Sequence, residues 1–218
     1  MLCDFKENLK KLQAIFSCDF WKHAFDLRLH TTVIPIIILL ILLYPAVLYL
    51  PEWCGWENRL FENLQLFILF NCCFIWVFVK EKRRFFIFAA MIFFIMILRE
   101  TNFGKTLFFP HPTRPNAFLS WKEIWYAPYV DPVMAVYGIA VAVYFFAGKV
   151  YRELTDLILT VKIPVWDTLL FAITVAGAQI SDGHCGLIME EGVETVMYCS
   201  LFVLLSTAAF RPALRHKQ

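Results

Sequence analysis

The sequence predicts an all-α polytopic membrane bundle of about six transmembrane helices, with the N-terminus and C-terminus in the cytoplasm. Three observations predict it. Hydrophobic residues fill 60% of the 218 positions, against about 45–50% in soluble domains, and the mean hydropathy is +0.63. These residues are gathered into runs near the ~20 residues that cross a hydrocarbon core, not into the ~10-residue alternating segments of a membrane barrel. The basic residues, finally, are divided unequally between alternate connections.

The first segment, residues 1–30, reads as a cytoplasmic amphipathic element. Phe5, Leu9, Leu12 and Phe16 recur at helical spacing with Lys6, Lys10 and Lys11 between them. That pattern fits a helix lying in the headgroup region or packed on the bundle. No cleavable signal peptide is expected, because no small-residue cleavage pattern follows the first apolar run.

Residues 31–210 read as one bundle. The predicted spans are 32–50, 60–79, 85–98, 132–147, 164–180 and 187–210. The third is short and extends naturally through Arg99 and Glu100. The fifth is also short and contains Asp167, so five spans or a re-entrant fifth segment is the alternative. The connection 100–130 is the longest. Its Trp121, Trp125 and Tyr126 favour the membrane interface, which places it over the outer surface. Residues 211–218 form a basic cytoplasmic tail.

The orientation rests on lysine and arginine. Fifteen of the 20 fall on one side: Lys6, Lys10, Lys11, Lys22, Arg28, Lys80, Lys82, Arg83, Arg84, Lys149, Arg152, Lys162, Arg211, Arg215 and Lys217. Arg59, Arg99, Lys105, Arg114 and Lys122 fall on the other. This is the positive-inside pattern for cytoplasmic termini. The KEKRR turn at residues 80–84 belongs to it, and membrane anchoring accounts for its charge without nucleic acid.

The acids lean the other way, with ten of the 18 opposite the basic side. Glu52, Glu57, Glu62, Glu100, Glu123, Asp131, Asp182, Glu190, Glu191 and Glu194 are all assigned to the outer side. Acids contribute little to topology, so their position calls for a separate cause. Asp131 precedes Pro132, as a helix N-cap would. Glu190 suits a first helical turn. Glu194 lies a turn deeper, where a carboxylate costs several kcal/mol unless paired, protonated or bound to a cation.

Asn58, Glu62 and Gln65 form a stripe at the outer end of the second span, and Glu191, Glu194 and Tyr198 share a face of the sixth. With Arg99, Glu100 and His184 they bring ionisable groups from distant segments to one depth, as helix bundles do at metal and cofactor sites. The candidate metal ligands are Glu62, Glu191 and Glu194, for Mg²⁺, Ca²⁺ or Mn²⁺, or for iron or zinc if histidine joins them. The candidate catalytic residues are Arg99, Glu100 and His184. A structural network neutralised by Arg99, or a shared proton, are the other arrangements these residues allow.

Of the seven cysteines, Cys54 and Cys185 fall in outer loops and are expected to form a disulfide in an oxidising compartment. No CxxC pair points to thiol redox chemistry.

These features predict an integral-membrane enzyme, a metal-dependent hydrolase or transferase acting on a lipid or lipid-linked group at the outer leaflet of a bacterial inner membrane. Arg99 would bind a phosphate or carboxylate, and Glu100 or His184 would move protons. The expected partners are membrane lipids, together with a membrane-protein partner or a second copy of the chain. A small ion-coupled transporter and a non-catalytic membrane subunit are the alternatives; mostly apolar deep segments and the lack of an internal repeat count against transport.

Overall fold

The computed structural model describes residues 24–56, 59–113, 117–181 and 186–210. Each of the six apolar runs is helical there. The helices are α1 (Val33–Tyr49), α2 (Leu60–Phe78), α3 (Arg83–Glu100), the single turn α4 (Lys105–Phe108), α5 (Ala127–Ala147), α6 (Val150–Thr160), α7 (Val165–Ser181) and α8 (Leu187–Phe210). The only strands among the described residues are β1 (Phe25–Asp26) and β2 (Ile163–Pro164), paired in parallel. The fold is therefore all-α.

Among the described residues, three stretches are long and apolar enough to cross a membrane: Glu52–Phe78, which contains α2, then α5 and α8. α3 and the turns that follow it, bent by 56°, make a fourth if counted as one span. α1 and α7 are apolar but have 17 residues each. That is about 25 Å of helical rise, short of the ~30 Å hydrocarbon core.

α2, α3 and α8 form the centre. Leu69, Cys72, Ile75, Phe86, Phe93, Tyr198 and Leu205 pack there as one buried cluster. α1 and α7 add Leu43 and Ala178 against Val193 of α8. α5 lies outside this core and touches α3, with the Tyr137 hydroxyl donating to the Met91 carbonyl at 3.1 Å. Only Val141 of α5 is buried. Val133, Val136, Ile139, Val143 and Phe146 are exposed, which suits a helix whose outer face meets lipid rather than water.

Basic residues cluster where the α2–α3 turn meets α6, and Glu62, Glu100, Glu191 and Glu194 lie toward the other end. At the basic end the α2–α3 turn docks on α6. Lys82 Nζ donates to Thr160 Oγ1 at 2.7 Å, Arg84 donates to the Gly148 carbonyl at 3.1 Å, and the Phe85 backbone N–H donates to Glu153 at 2.9 Å. The β1–β2 pair joins residues 25–26 to the same region, reinforced by Trp166 Nε1 donating to the Leu27 carbonyl. Residues 25–29 are thus not the end of a helix, as the sequence pattern predicts. Their backbone groups pair across to residues 163–164 instead. Residues 1–23, which carry the rest of that expected segment, and the tail 211–218 lie outside the described residues.

α6 was not anticipated in the connection between the fourth and fifth runs. Val150, Leu154, Leu157 and Ile158 line one side of it, with Arg152, Glu153 and Asp156 between them, an amphipathic pattern of helical period. α5 also begins five residues before Pro132. Pro128 occupies its first turn, where a missing N–H costs little, and Asp131 is inside the helix rather than capping it.

The connection 100–126 is folded on itself. The Leu119 N–H donates to the Phe109 carbonyl at 3.0 Å and Pro110 bridges Phe118. Phe103, Phe109, Trp121, Trp125 and Tyr126 stack edge to face or tilted, with ring centroids 5.5–6.5 Å apart. Ser120 and Glu123 cap a short turn reciprocally. The Ser120 N–H and hydroxyl, at 2.7 and 2.9 Å, hold the Glu123 carboxyl below the usual carboxylate range.

α3 ends in a sharp break directly after Glu100. Asn102, Phe103 and Gly104 are all left-handed, with φ of 46°, 54° and 84°. Thr101 and Thr106 secure the break: the Thr106 hydroxyl donates to the Thr101 carbonyl at 3.1 Å, and the Thr101 hydroxyl reaches back to Ile97 and Leu98. A Cβ at Gly104 would sit 3.3 Å from the Phe108 ring in a conformation L-residues rarely adopt. Gly104→Ala is expected to cost about 1–2 kcal/mol. A thermal melt in detergent checks this, and an unchanged midpoint would show that the break relaxes freely.

Candidate functional site at the acidic end

The acidic end is assembled by α2, α3 and α8, the same helices that form the core. On α2, Glu62 and Gln65 stand one turn apart at the outer end of a face that continues inward as Leu69 and Cys72. Glu62 is 7% exposed and Gln65 is fully buried. A helix end bearing a carboxylate and an amide on its inward face is costly unless the facing helix answers them. α8 does so.

Gln65 Nε2 donates to the Glu191 main-chain carbonyl at 3.1 Å and to Glu191 Oε2 at 2.9 Å. Thr195 Oγ1 donates to the same carbonyl at 2.8 Å. One turn further along α8, Glu194 is half-buried and within electrostatic reach of Glu191, as are Glu100 and Glu62.

Tyr198, a further turn inward, is buried in the core cluster. Its hydroxyl donates to Glu100 Oε1 at 2.5 Å, tying the last residue of α3 to the middle of α8. Arg99 beside it is exposed. It lies within electrostatic reach of the Tyr198 hydroxyl. Its guanidinium is open to the surroundings of the acidic end.

The floor of this end is the Glu52–Gly55 turn. Cys54 packs with Phe61 and Ile188, and a Cβ at Gly55 would lie 3.0 Å from the Leu187 backbone. The Glu52–Gly55 turn therefore fixes the start of α8, which carries Glu190 in its first turn. Cys54 is a free, buried thiol; Cys185, its expected partner, lies outside the described residues, as do His184, Asp182 and Asn58.

The structure thus brings Glu62, Glu100, Glu191 and Glu194 to one end, with Arg99 at its rim. Among the described residues, no three of His, Cys, Asp and Glu are grouped so as to hold a metal ion. Sequence reasoning placed Gln65 and Tyr198 on the right faces but gave neither a role in the site, and it passed over Thr195. The signal was present: Gln65 interrupts an apolar face at the position opposite Glu191. Asp167, in the first turn of α7, is 3% exposed, with no hydrogen-bond partner for either carboxylate oxygen among the described residues.

Among the described residues the chain is all-α, with three or four helices able to span a membrane and a polar site at the end of its central helices. It matches no protein-family profile, no curated protein and no solved structure.

Proposed function

We propose that all six apolar helices cross the membrane, with both termini on the basic, cytoplasmic face, and that the chain is an enzyme acting on a lipid or lipid-linked group at the opposite leaflet of a bacterial inner membrane. The observation that carries this reading is the joining of Gln65, Glu191, Glu100 and Tyr198 across three helices at the acidic end. Such an arrangement holds carboxylates in place at the depth where lipids present their polar bonds.

The residue roles follow from geometry. Arg99, exposed at the rim, binds an anionic phosphate or carboxylate. Glu100, hydrogen-bonded by Tyr198, moves a proton to or from the reacting group. Glu191, oriented by Gln65, directs a water molecule or a cationic group together with Glu62 and Glu194. His184, which lies outside the described residues, rests on the sequence alone as a second proton carrier. The divalent ion expected from the acidic composition is one cation these carboxylates would hold.

The test is a set of lipid hydrolysis and transfer assays on purified wild-type protein and on Glu191→Ala/Glu194→Ala, with metal content measured on both. The variant is expected to lose at least ~100-fold in rate. An unchanged rate would remove these carboxylates from the chemistry. A near-stoichiometric metal lost in the variant would identify the cation as an ion.

A further inference from the structure

Two cavities adjoin at the basic end and differ in character. The first, of about 240 Å³, lies where α2 turns into α3, and Lys80, Glu81 and Lys82 line it together with Phe78, Phe86 and Ala209. The second, of about 160 Å³, lies between α6, β2 and α8. Ile158, Ile163, Pro164 and Leu204 line it, with Lys162 as the one charged residue. Leu157, Val161 and Ala208 belong to both linings. The two therefore form one cleft, with a charged mouth and an apolar inner part. Leu204 is four residues, about 6 Å, nearer the core than Ala208 along α8.

The local structure builds this cleft. Only residues 79–82 join α2 to α3, and the turn ends left-handed at Lys82, with φ of 54°. The Lys82 ammonium is set against α6 by its 2.7 Å hydrogen bond to Thr160 Oγ1. Lys80 is exposed, on a flexible four-carbon stem that can carry its charge over the mouth. Three lysines and one glutamate thus line the cleft. Glu153 of α6 is not among the lining residues; its carboxylate accepts from the Phe85 N–H. Positive-inside topology accounts for lysines on this side, but not for an apolar cleft opening beside them. A soluble anion would use only the mouth, and a neutral lipid only the apolar part. An anionic phospholipid matches both.

We propose that this cleft binds an anionic phospholipid of the adjacent leaflet. Lys80, Lys82 and Lys162 hold its phosphate, and the upper part of one acyl chain lies against Leu157, Ile158 and Leu204. The bound lipid bridges α6, the α2–α3 turn and the end of α8. This site is separate from the acidic end. It rests on the helices lying in a bilayer and not on the chemistry proposed at that other end.

The experiment measures thermal stabilisation of the detergent-purified full chain by short-chain phosphatidylglycerol, short-chain phosphatidylcholine and glycerophosphoglycerol, which is the anionic headgroup without chains. Saturable stabilisation by phosphatidylglycerol is expected. Its affinity should be at least ~10-fold tighter than that of either other ligand, and should fall as salt is raised. Lys80→Ala/Lys162→Ala should remove the preference for phosphatidylglycerol. Ala208→Leu, which fills the wall common to both cavities, should weaken phosphatidylglycerol with every lysine in place. Arg83→Ala removes a charge from the same turn at a position that does not line the cleft, and should change neither. The comparison among ligands on wild-type protein stands even if a variant fails to fold.

Equal affinity for the two lipids would overturn recognition of the anionic headgroup. Stabilisation by glycerophosphoglycerol as strong as by the lipid would overturn the lipid as the source of the phosphate. A loss in Arg83→Ala as large as in Lys80→Ala/Lys162→Ala would reduce the effect to surface charge and overturn the site, as would no stabilisation by any of the three. A chain that stays soluble without detergent would overturn the membrane reading, and this proposal with it.

Discussion

Gln65→Leu is expected to lower the melting midpoint of the detergent-purified protein and, on the proposed reading, to abolish lipid turnover, although leucine nearly matches glutamine in volume. The substitution removes two N–H donors that reach Glu191 from α2. The Glu191 carbonyl keeps its bond from Thr195, so the main loss falls on the carboxylate. Leaving a partly buried carboxyl acceptor without its donor costs about 1–3 kcal/mol. Gln65 Oε1 has no hydrogen-bond partner among the described residues, so its loss offsets part of this and the lower half of the range is expected. For a chain of this size that corresponds to a few degrees.

Gln65→Glu separates polarity from shape. It keeps a polar group of similar size but sets a second carboxylate against Glu191, so it should destabilise more than leucine does. The measurement is a melt of the three proteins side by side. Equal midpoints for all three would mean that the α2–α8 hydrogen bonds contribute nothing, and the site would lose its organising residue.

The fold was legible wherever burial and lipid exposure demand the same residue type. Runs such as 187–210 leave no choice but a helix, because a backbone in hydrocarbon must satisfy its own hydrogen bonds. Legibility fell where short-range chemistry competes with tertiary contact. Residues 25–26 take strand pairing from a partner nearly 140 positions away, which no local pattern announces. α5 starts at Ala127 because Pro128 fits a first turn, although Asp131–Pro132 offers an equally good local start. α6 was readable from its own apolar period, but the weight given to its basic residues as topology markers hid it.

The site divides in the same way. Acids at the head of α8 stand out in any sequence, because hydrocarbon makes them expensive. Gln65 and Tyr198 do not, since an amide near a helix end and a tyrosine within an apolar run are both ordinary. Their importance comes from what faces them: Glu191 for the one and Glu100 for the other. Which polar residue meets which across three helices depends on their rotation and register, and single-helix periodicity leaves both undetermined.

Gly55→Val is the second substitution with a large expected effect, and Gly192 supplies its control. Gly55 lies in the turn beneath the start of α8. A Cβ there would stand 3.0 Å from the Leu187 carbonyl carbon, 3.1 Å from the Ile188 nitrogen and 3.1 Å from the Leu187 Cβ. Two of these three atoms are backbone, and they cannot give way by a rotamer change. A Cβ at Gly192 would collide with the tip of the Leu43 side chain, which has other rotamers available. Overpacking typically costs about 1–3 kcal/mol, so Gly55→Val belongs at the top of that range and Gly192→Ala near the bottom. The first should also reduce activity beyond its effect on stability, because a shifted Leu187 carries Glu190, Glu191 and Glu194 with it. Melting midpoints and lipid turnover, measured on the folded fraction of each variant, make the comparison. If Gly192→Ala proved the more damaging, the turn would be free to move and α1, not the Glu52–Gly55 turn, would be what holds the acids in place.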